Sequence, residues 1–155
     1  MITIRNFRDE DAPHLWQLFY HTIRIINRRD YSEAQVQAWA SDEVDAKLWL
    51  QKMQAIQPFV AELDNQVVGY TDLQDDGLID HFFCHHEQQG KGIGSALMRH
   101  VHSVASDRGI KSLHSHVSKS AKPFYMHFSF TVVEAQQMHV RGQVLENFLM
   151  EKIID

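Results

Sequence analysis

At 155 residues, 44% hydrophobic and 23% charged, the chain has the size and composition of one globular domain, which excludes disorder. A formal net charge of −5 provides no global basic field for nucleic acid or for an anionic membrane, although a local basic spot is still able to serve a small anion. One cysteine, Cys84, excludes an internal disulfide and any CxxC metal or redox motif. No apolar run approaches the ~18 residues that span a bilayer, and "MITIRNFRDED" lacks the apolar stretch of a signal peptide, so a cytoplasmic protein is expected.

In chain order, "ITIRNF" alternates and reads as a strand with Ile2 and Ile4 on one face. "DEDAPHLWQLFYHTIRII" opens on acids with Pro13 in its first turn, and Leu15, Leu18, Phe19, Ile23 and Ile26 recur at helical spacing. Ser32 and Gln35 have capping-box spacing, which starts a short helix in "YSEAQVQAWA"; "VDAKLWLQKMQ" follows as a third helical piece. "PFVAELDNQVVGYTDLQDDGLIDHFFCHH" alternates, with "DNQ" and "DDG" as turns, and predicts a three-stranded antiparallel meander. Ile93, Leu97, Val101 and Val104 mark the buried stripe of a helix ending at Gly109. "SLHSHVS" is a strand and "SAKPFYMHF" a short helix, while "FTVVEAQQMHV" and "VLENFLMEKII" are two final strands. No repeat or linker divides the chain, and the order predicts a mixed α+β fold, with a mostly antiparallel sheet flanked by helices.

"QQGKGIGSALMRHV" places Gly90, Gly92 and Gly94 at alternate positions at the mouth of a helix. Glycine is poor helix material, so the placement needs a reason. Backbone N–H groups of a bare turn, together with the free N–H groups and positive dipole of a helix start, suit a phosphate or pyrophosphate. Lys91 adds a charge at the rim. P-loop spacing is absent, and a dinucleotide fingerprint fails at its third glycine, where Ser95 stands after an upstream meander.

The remaining pattern, Gln89-x-x-Gly92-x-Gly94 after a strand, resembles the pyrophosphate loop of the GCN5-related N-acetyltransferase (GNAT) family. "IDHFFCHHEQQGKGIGSALM" is similar to that family's fourth strand, loop and third helix, and "VSKSAKPFYMHFSF" to its fifth strand and the aromatic-bearing helix after it. "YSEAQVQAW" and "ENFLMEK" resemble a bacterial branch of small members. The resemblance covers nearly the whole chain and implies a single acetyltransferase domain over residues 1–155. It implies acetyl-CoA as cofactor, with its pyrophosphate on the N–H groups of Gln89, Gly90, Lys91, Gly92, Ile93, Gly94 and Ser95, and its pantetheine beside Phe82, Phe83 and Cys84. Ser118 falls where the family has a polar residue bonding the cofactor, commonly asparagine.

Attack of an amine on a thioester needs a sink for the amine's proton, a donor for the oxyanion and an acid for the thiolate. The resemblance implies the Cys84 backbone N–H as oxyanion donor and Tyr125 as acid. Asp80 shares a strand face with Phe82 and Cys84 by the period-two rule, and is the candidate base; His81 then faces away, and His116 is the substitute. Tyr31 and Trp39 fall in the segment that walls the acceptor site in this family, and Arg28 and Arg29 are available there for an acidic group. His81, His85 and His86 lie close in sequence, but His85 and His86 face opposite ways if the strand persists, so no metal site is expected.

Serine at position 129 replaces the family's usual glycine and costs roughly 1 kcal/mol if that backbone site needs positive φ. The reading is an N-acetyltransferase acting on a primary amine. A protein that only binds acetyl-CoA as a sensor would need neither Tyr125 nor Asp80. The mild acidity points to a small cationic amine rather than a protein acceptor, and the family suggests a homodimer through the late strands.

Overall fold

A computed structural model describes residues 1–154. Strand β1 (Ile2–Asn6) is followed by helices α1 (Ala12–Ile25), α2 (Glu33–Trp39) and α3 (Ala46–Ile56). Strands β2 (Phe59–Leu63), β3 (Gln66–Thr71) and β4 (Phe82–Cys84) lead into α4 (Ile93–Asp107), then β5 (Ser112–Ser118), α5 (Lys122–His127), β6 (Thr131–Val140) and β7 (Gln143–Ile153). The strands form two antiparallel sheets, ordered β1-β2-β3-β4 and β5-β7-β6. Among the described residues no helix is long and apolar enough to cross a membrane.

Local chemistry explains most boundaries. Ser32 accepts from the Gln35 N–H at 3.1 Å and its own N–H donates to the Gln35 side chain at 2.8 Å, closing a reciprocal cap on α2. Asp64 and Asn65, both at positive φ, make the two-residue turn between β2 and β3. Gly109 turns the chain out of α4, and the Ile110 N–H reaches back to the Ala105 carbonyl.

The first sheet is covered on both faces. Leu15, Leu18, Met53 and Ile56 of α1 and α3 pack on Val60 and Tyr70, whereas Ile93 and Leu97 of α4 pack on Ala61 and Val68. Val68 and Tyr70 reach opposite faces because the register shifts opposite Ala61 and Glu62, leaving Val68 as an extra residue. Gly69 lets α4 sit close to the sheet: a Cβ there would lie 3.0 Å from Ile93 and 3.1 Å from Leu97. A second core joins α4 to the other sheet through Met98, Val101, Leu113, Val117, Tyr125, Phe130 and Met150.

The expected meander is only half regular. "DNQ" is a tight hairpin, but "DDG" lies in a link, residues 72–81, that leaves the sheet. In it the Ile79 N–H donates to the His114 carbonyl at 2.9 Å and the His114 N–H to the Gly77 carbonyl at 3.0 Å, so the link runs beside β5 as a parallel bridge. The third strand is consequently short, three residues from Phe82 to Cys84.

An ion-pair network ties β1, β2 and the entry to α1. Arg5 makes a bidentate contact to Asp11 at 2.7 and 2.8 Å and also pairs with Glu62, while the Arg8 N–H donates to Asp11 at 2.8 Å. Burial pushes the Asp11 carboxyl up, but the Arg5 guanidinium and the Arg8 N–H outweigh it and hold the group below its ordinary value.

Two outcomes follow from these local features. Ser129 has φ 70, so Ser129→Gly is expected to stabilise the fold by about 0.5–1 kcal/mol in urea unfolding. Asp11→Asn should lose about 2 kcal/mol at neutral pH. Because the folded-state value is depressed, that deficit is full above the ordinary carboxylate range and closes as pH falls below about 4, which urea titrations of both proteins across pH will register.

Candidate active site

Beyond the link, β4 and β5 part. The His85 N–H donates to the Val68 carbonyl at 2.7 Å, so by strand alternation the backbone groups of Phe82 and Cys84 face away from β3, toward β5. His114 faces the link, so those of His116 and Ser118 face back across the gap. Among the described residues no backbone bond joins these two edges. The Cys84 carbonyl is taken by the Thr22 hydroxyl at 2.8 Å and the Gln89 side-chain amide at 3.1 Å.

A groove of ≈ 280 Å³ opens on the α4 side of this wedge, lined by Phe82, Phe83, Cys84, Gln89, Gly90, Gly92, Ile93, Gly94, Ser95 and Ser118. Lys91 is exposed and is not part of its wall. Gly92, at φ 84, sits at the cap of α4, where a side chain would be strained, and nothing lies within 4 Å of the Cβ position. Gly94 has a different reason from the one its spacing suggested: a Cβ there would come within 3.1 Å of the Phe124 ring, so this glycine admits an aromatic side chain of α5. The Gln88 Oε1 is buried at the groove without a hydrogen-bond partner among the described residues. Ser118 accepts from the Ala121 N–H at 3.1 Å and lies 3.4 Å from the Asn27 amide, holding the turn into α5.

A second cavity of ≈ 390 Å³ lies on the other side, and Phe82, Phe83, Ser118, Ala121 and Tyr125 border both. Tyr125 is 2% exposed, packed edge-on against Phe82 and Phe130. Its hydroxyl is 3.4 Å from Ser115 Oγ, which donates to the Ile79 carbonyl at 2.7 Å. Burial pushes the Tyr125 phenol well above its ordinary value, so it holds its proton at neutral pH. Burial likewise raises the Cys84 thiol to about 12, which leaves the sulfur un-ionised and inert.

Asp80 lines the second cavity but precedes β4 and pairs with Lys52 of α3 at 2.6 Å. The period-two rule therefore does not govern it, and His81, expected on the opposite face, borders the same cavity. The His81 ring is held by the Tyr70 hydroxyl at 2.9 Å, and burial lowers its pKa to about 4. Asp72 anchors this segment, accepting the His81 N–H at 2.6 Å and the Asp80 N–H at 3.2 Å; burial raises its carboxyl to about 6. Tyr31 and Trp39 meet edge-on at 5.7 Å on the cavity wall. Tyr31 also accepts the Lys119 N–H at 2.9 Å and donates to the Glu146 carbonyl, so it staples β7 to the turn after β5. Arg28 lies outside both walls and pairs with Glu33 at 3.3 Å, and Arg29 is likewise outside them. His85 and His86 stack at 4.6 Å instead of diverging, because the strand ends at Cys84 and His85 caps a 3-10 turn.

Sequence reasoning missed Thr22, Asn27 and Gln88 of the groove and Trp49, Lys52, Ser115 and Asn147 of the cavity. Thr22 carried a readable signal: it is a polar residue one turn after Leu18, on the buried stripe of α1. For Lys52 and Asn147, which lie on an exposed helix face and in a late strand, the sequence carried none.

Compared with known proteins, residues 27–150 match the family described as an acetyltransferase (GNAT) domain. The chain is 30% identical over 149 residues to the uncharacterised N-acetyltransferase YafP of Escherichia coli K12, spanning 96% of this chain and 94% of that one. A GCN5-related N-acetyltransferase from Rhodopseudomonas palustris superposes with a TM-score of 0.94 at 26% identity, covering 98% of this chain and 95% of that one. The fold is shared too with the PaiA N-acetyltransferase of Thermoplasma acidophilum, solved in complex with coenzyme A, at a TM-score of 0.74 and 19% identity over 99% of each chain. A family match over most of its length and relatives that align end to end establish that the chain belongs to the GNAT family of acetyltransferases.

Proposed function

We propose that this GNAT acetyltransferase binds acetyl-CoA in the groove and passes its acetyl group to a primary amine in the second cavity, by direct attack while both are bound. The observation that carries the reading is the meeting of two cavities at the parted strands, with the protonated Tyr125 phenol at their junction and Cys84 on the groove side of it.

The residues present fit the cofactor. Free N–H groups at the start of α4, next to the Gly90 and Gly92 turn, suit its pyrophosphate. The open edge of β4 suits an amide-bearing pantetheine arm lying alongside it as a strand would, and the orphaned Gln88 oxygen is available to an N–H donor. Bound acetyl-CoA supplies an activated acyl group as a thioester.

The chain's own groups supply the rest. The Cys84 N–H, aimed into the wedge, stabilises charge on the carbonyl oxygen. Tyr125 gives its proton to the departing sulfur. Asp80, at the cavity mouth beside Lys52, takes through water the proton that the nitrogen releases as it bonds to carbon. Asp72 holds the Asp80–His81 segment in place through its two backbone bonds.

Tyr125→Phe should leave acetyl-CoA binding intact and lower kcat by about 100-fold, since Ser115 keeps its bond to Ile79 and no buried group is orphaned. Gly92→Ala should do the reverse, weakening acetyl-CoA binding by about 10-fold in calorimetry with kcat nearly unchanged. Full turnover by Tyr125→Phe would remove the phenol as acid. Acetyl-CoA binding by the wild type with no acetylation of any amine would make the protein a binder rather than an enzyme. Asp80→Asn is expected to lower kcat and to alter the kcat/KM–pH profile, and an unchanged profile would exclude Asp80 as the proton's destination.

A further inference from the structure

Given that the second cavity receives the amine, a reading that rests on the proposed function, its walls restrict which amine fits. Phe19, Trp49 and Phe83 form one connected ring cluster, with centroids 5.1 and 5.2 Å from Phe19. Trp39, Met138 and Leu145 line the cavity from α2 and the β6–β7 hairpin.

The formal charges in the wall are Lys52 and Asp80, and they neutralise each other at 2.6 Å. His81 is bonded to Tyr70 and His116 to Gln136, at 2.9 Å each. No carboxylate in the wall is spare to balance a second ammonium, and no cation is spare to receive a carboxylate. A polyamine or an amino acid would therefore lose hydration in this cavity without a counter-charge, which is strongly unfavourable. A flat apolar body would instead stack on the rings.

One polar atom complements this. Asn147 is the cross-strand partner of Ser118, which borders both cavities, and Asn147 Oδ1 is buried without a hydrogen-bond partner among the described residues. An unsatisfied acceptor on a residue that lines a largely apolar chamber calls for an N–H donor. We propose that the acceptor is a primary amine on an aromatic body, its ring among Phe19, Trp39 and Trp49 and its N–H donated to Asn147 Oδ1. The wall thus selects a different amine from the one suggested by the chain's overall charge.

The test measures acetyl-CoA binding by calorimetry and then kcat/KM, followed as released thiol, for phenethylamine and aniline against spermidine, lysine and an alanine-terminated peptide. The expected result is a preference for the aromatic amines of at least about 30-fold, the size of a 2 kcal/mol discrimination in a buried pocket. Asn147→Ala should raise their KM about 10-fold and leave the KM for acetyl-CoA unchanged. Met138→Glu, a change at a 41%-exposed position, should shift the preference toward spermidine. Equal or better turnover of spermidine, lysine or peptide would overturn the aromatic assignment and leave the acetyltransferase reading standing. Acetyl-CoA binding with no turnover of any amine would overturn the assignment too, and would make the protein a binder rather than an enzyme. Failure to bind acetyl-CoA at all would instead remove the proposed function itself, and this inference with it.

Discussion

The structure depends on the point where β4 leaves β5. For the length of Gly77–Ile79 the link and β5 are bonded as neighbouring strands, and from Phe82 onward they are not. Parting two strands inside a protein exposes two rows of backbone donors and acceptors that must be satisfied. The chain answers part of this demand itself. Thr22 reaches from α1 and Gln89 from the loop to the Cys84 carbonyl, and Phe82, Phe124 and Tyr125 fill the floor with rings. What is left faces the groove, where under the proposed function it is available to an extended, amide-bearing ligand.

Burial then sorts the ionisable groups around the wedge by role. The Cys84 thiol and the Tyr125 phenol are both raised by desolvation, with opposite consequences. A thiol that stays protonated is not a nucleophile, whereas a phenol that stays protonated keeps the proton that the proposed function asks it to donate. His81 is driven the other way and kept neutral, so it serves the cavity as a fixed ring rather than as a charge. Asp72 tolerates burial because it receives two backbone N–H groups and the Gln74 amide, and in receiving them it sets where Asp80 and His81 stand.

Much of this was legible in the chain because the signals are local. The Ser32–Gln35 cap, the Asp64–Asn65 turn, the end of α4 at Gly109 and the strained Ser129 each depend on a few neighbouring residues, and each stands where its spacing says. The glycine run also read correctly as the mouth of a helix, although Gly94 serves Phe124 rather than the open groove. The opposite face expected for His81 was not met, because period-two reasoning assumes a continuous strand and β4 begins only at Phe82. The condition on which His85 and His86 would diverge, a strand persisting through them, is likewise not met, because the strand ends at Cys84.

By itself, then, the sequence determined the element order, the family and the loop at the start of α4, since each element and the loop are encoded locally and the family in their succession along the chain. Tertiary structure alone decided which side chains share a chamber. Lys52 meets Asp80 across 28 residues, Thr22 meets Cys84 across 62, and Asn147 stands opposite Ser118 through strand pairing. Those meetings follow from how two sheets part and which helices cover them, and no local periodicity carries that information.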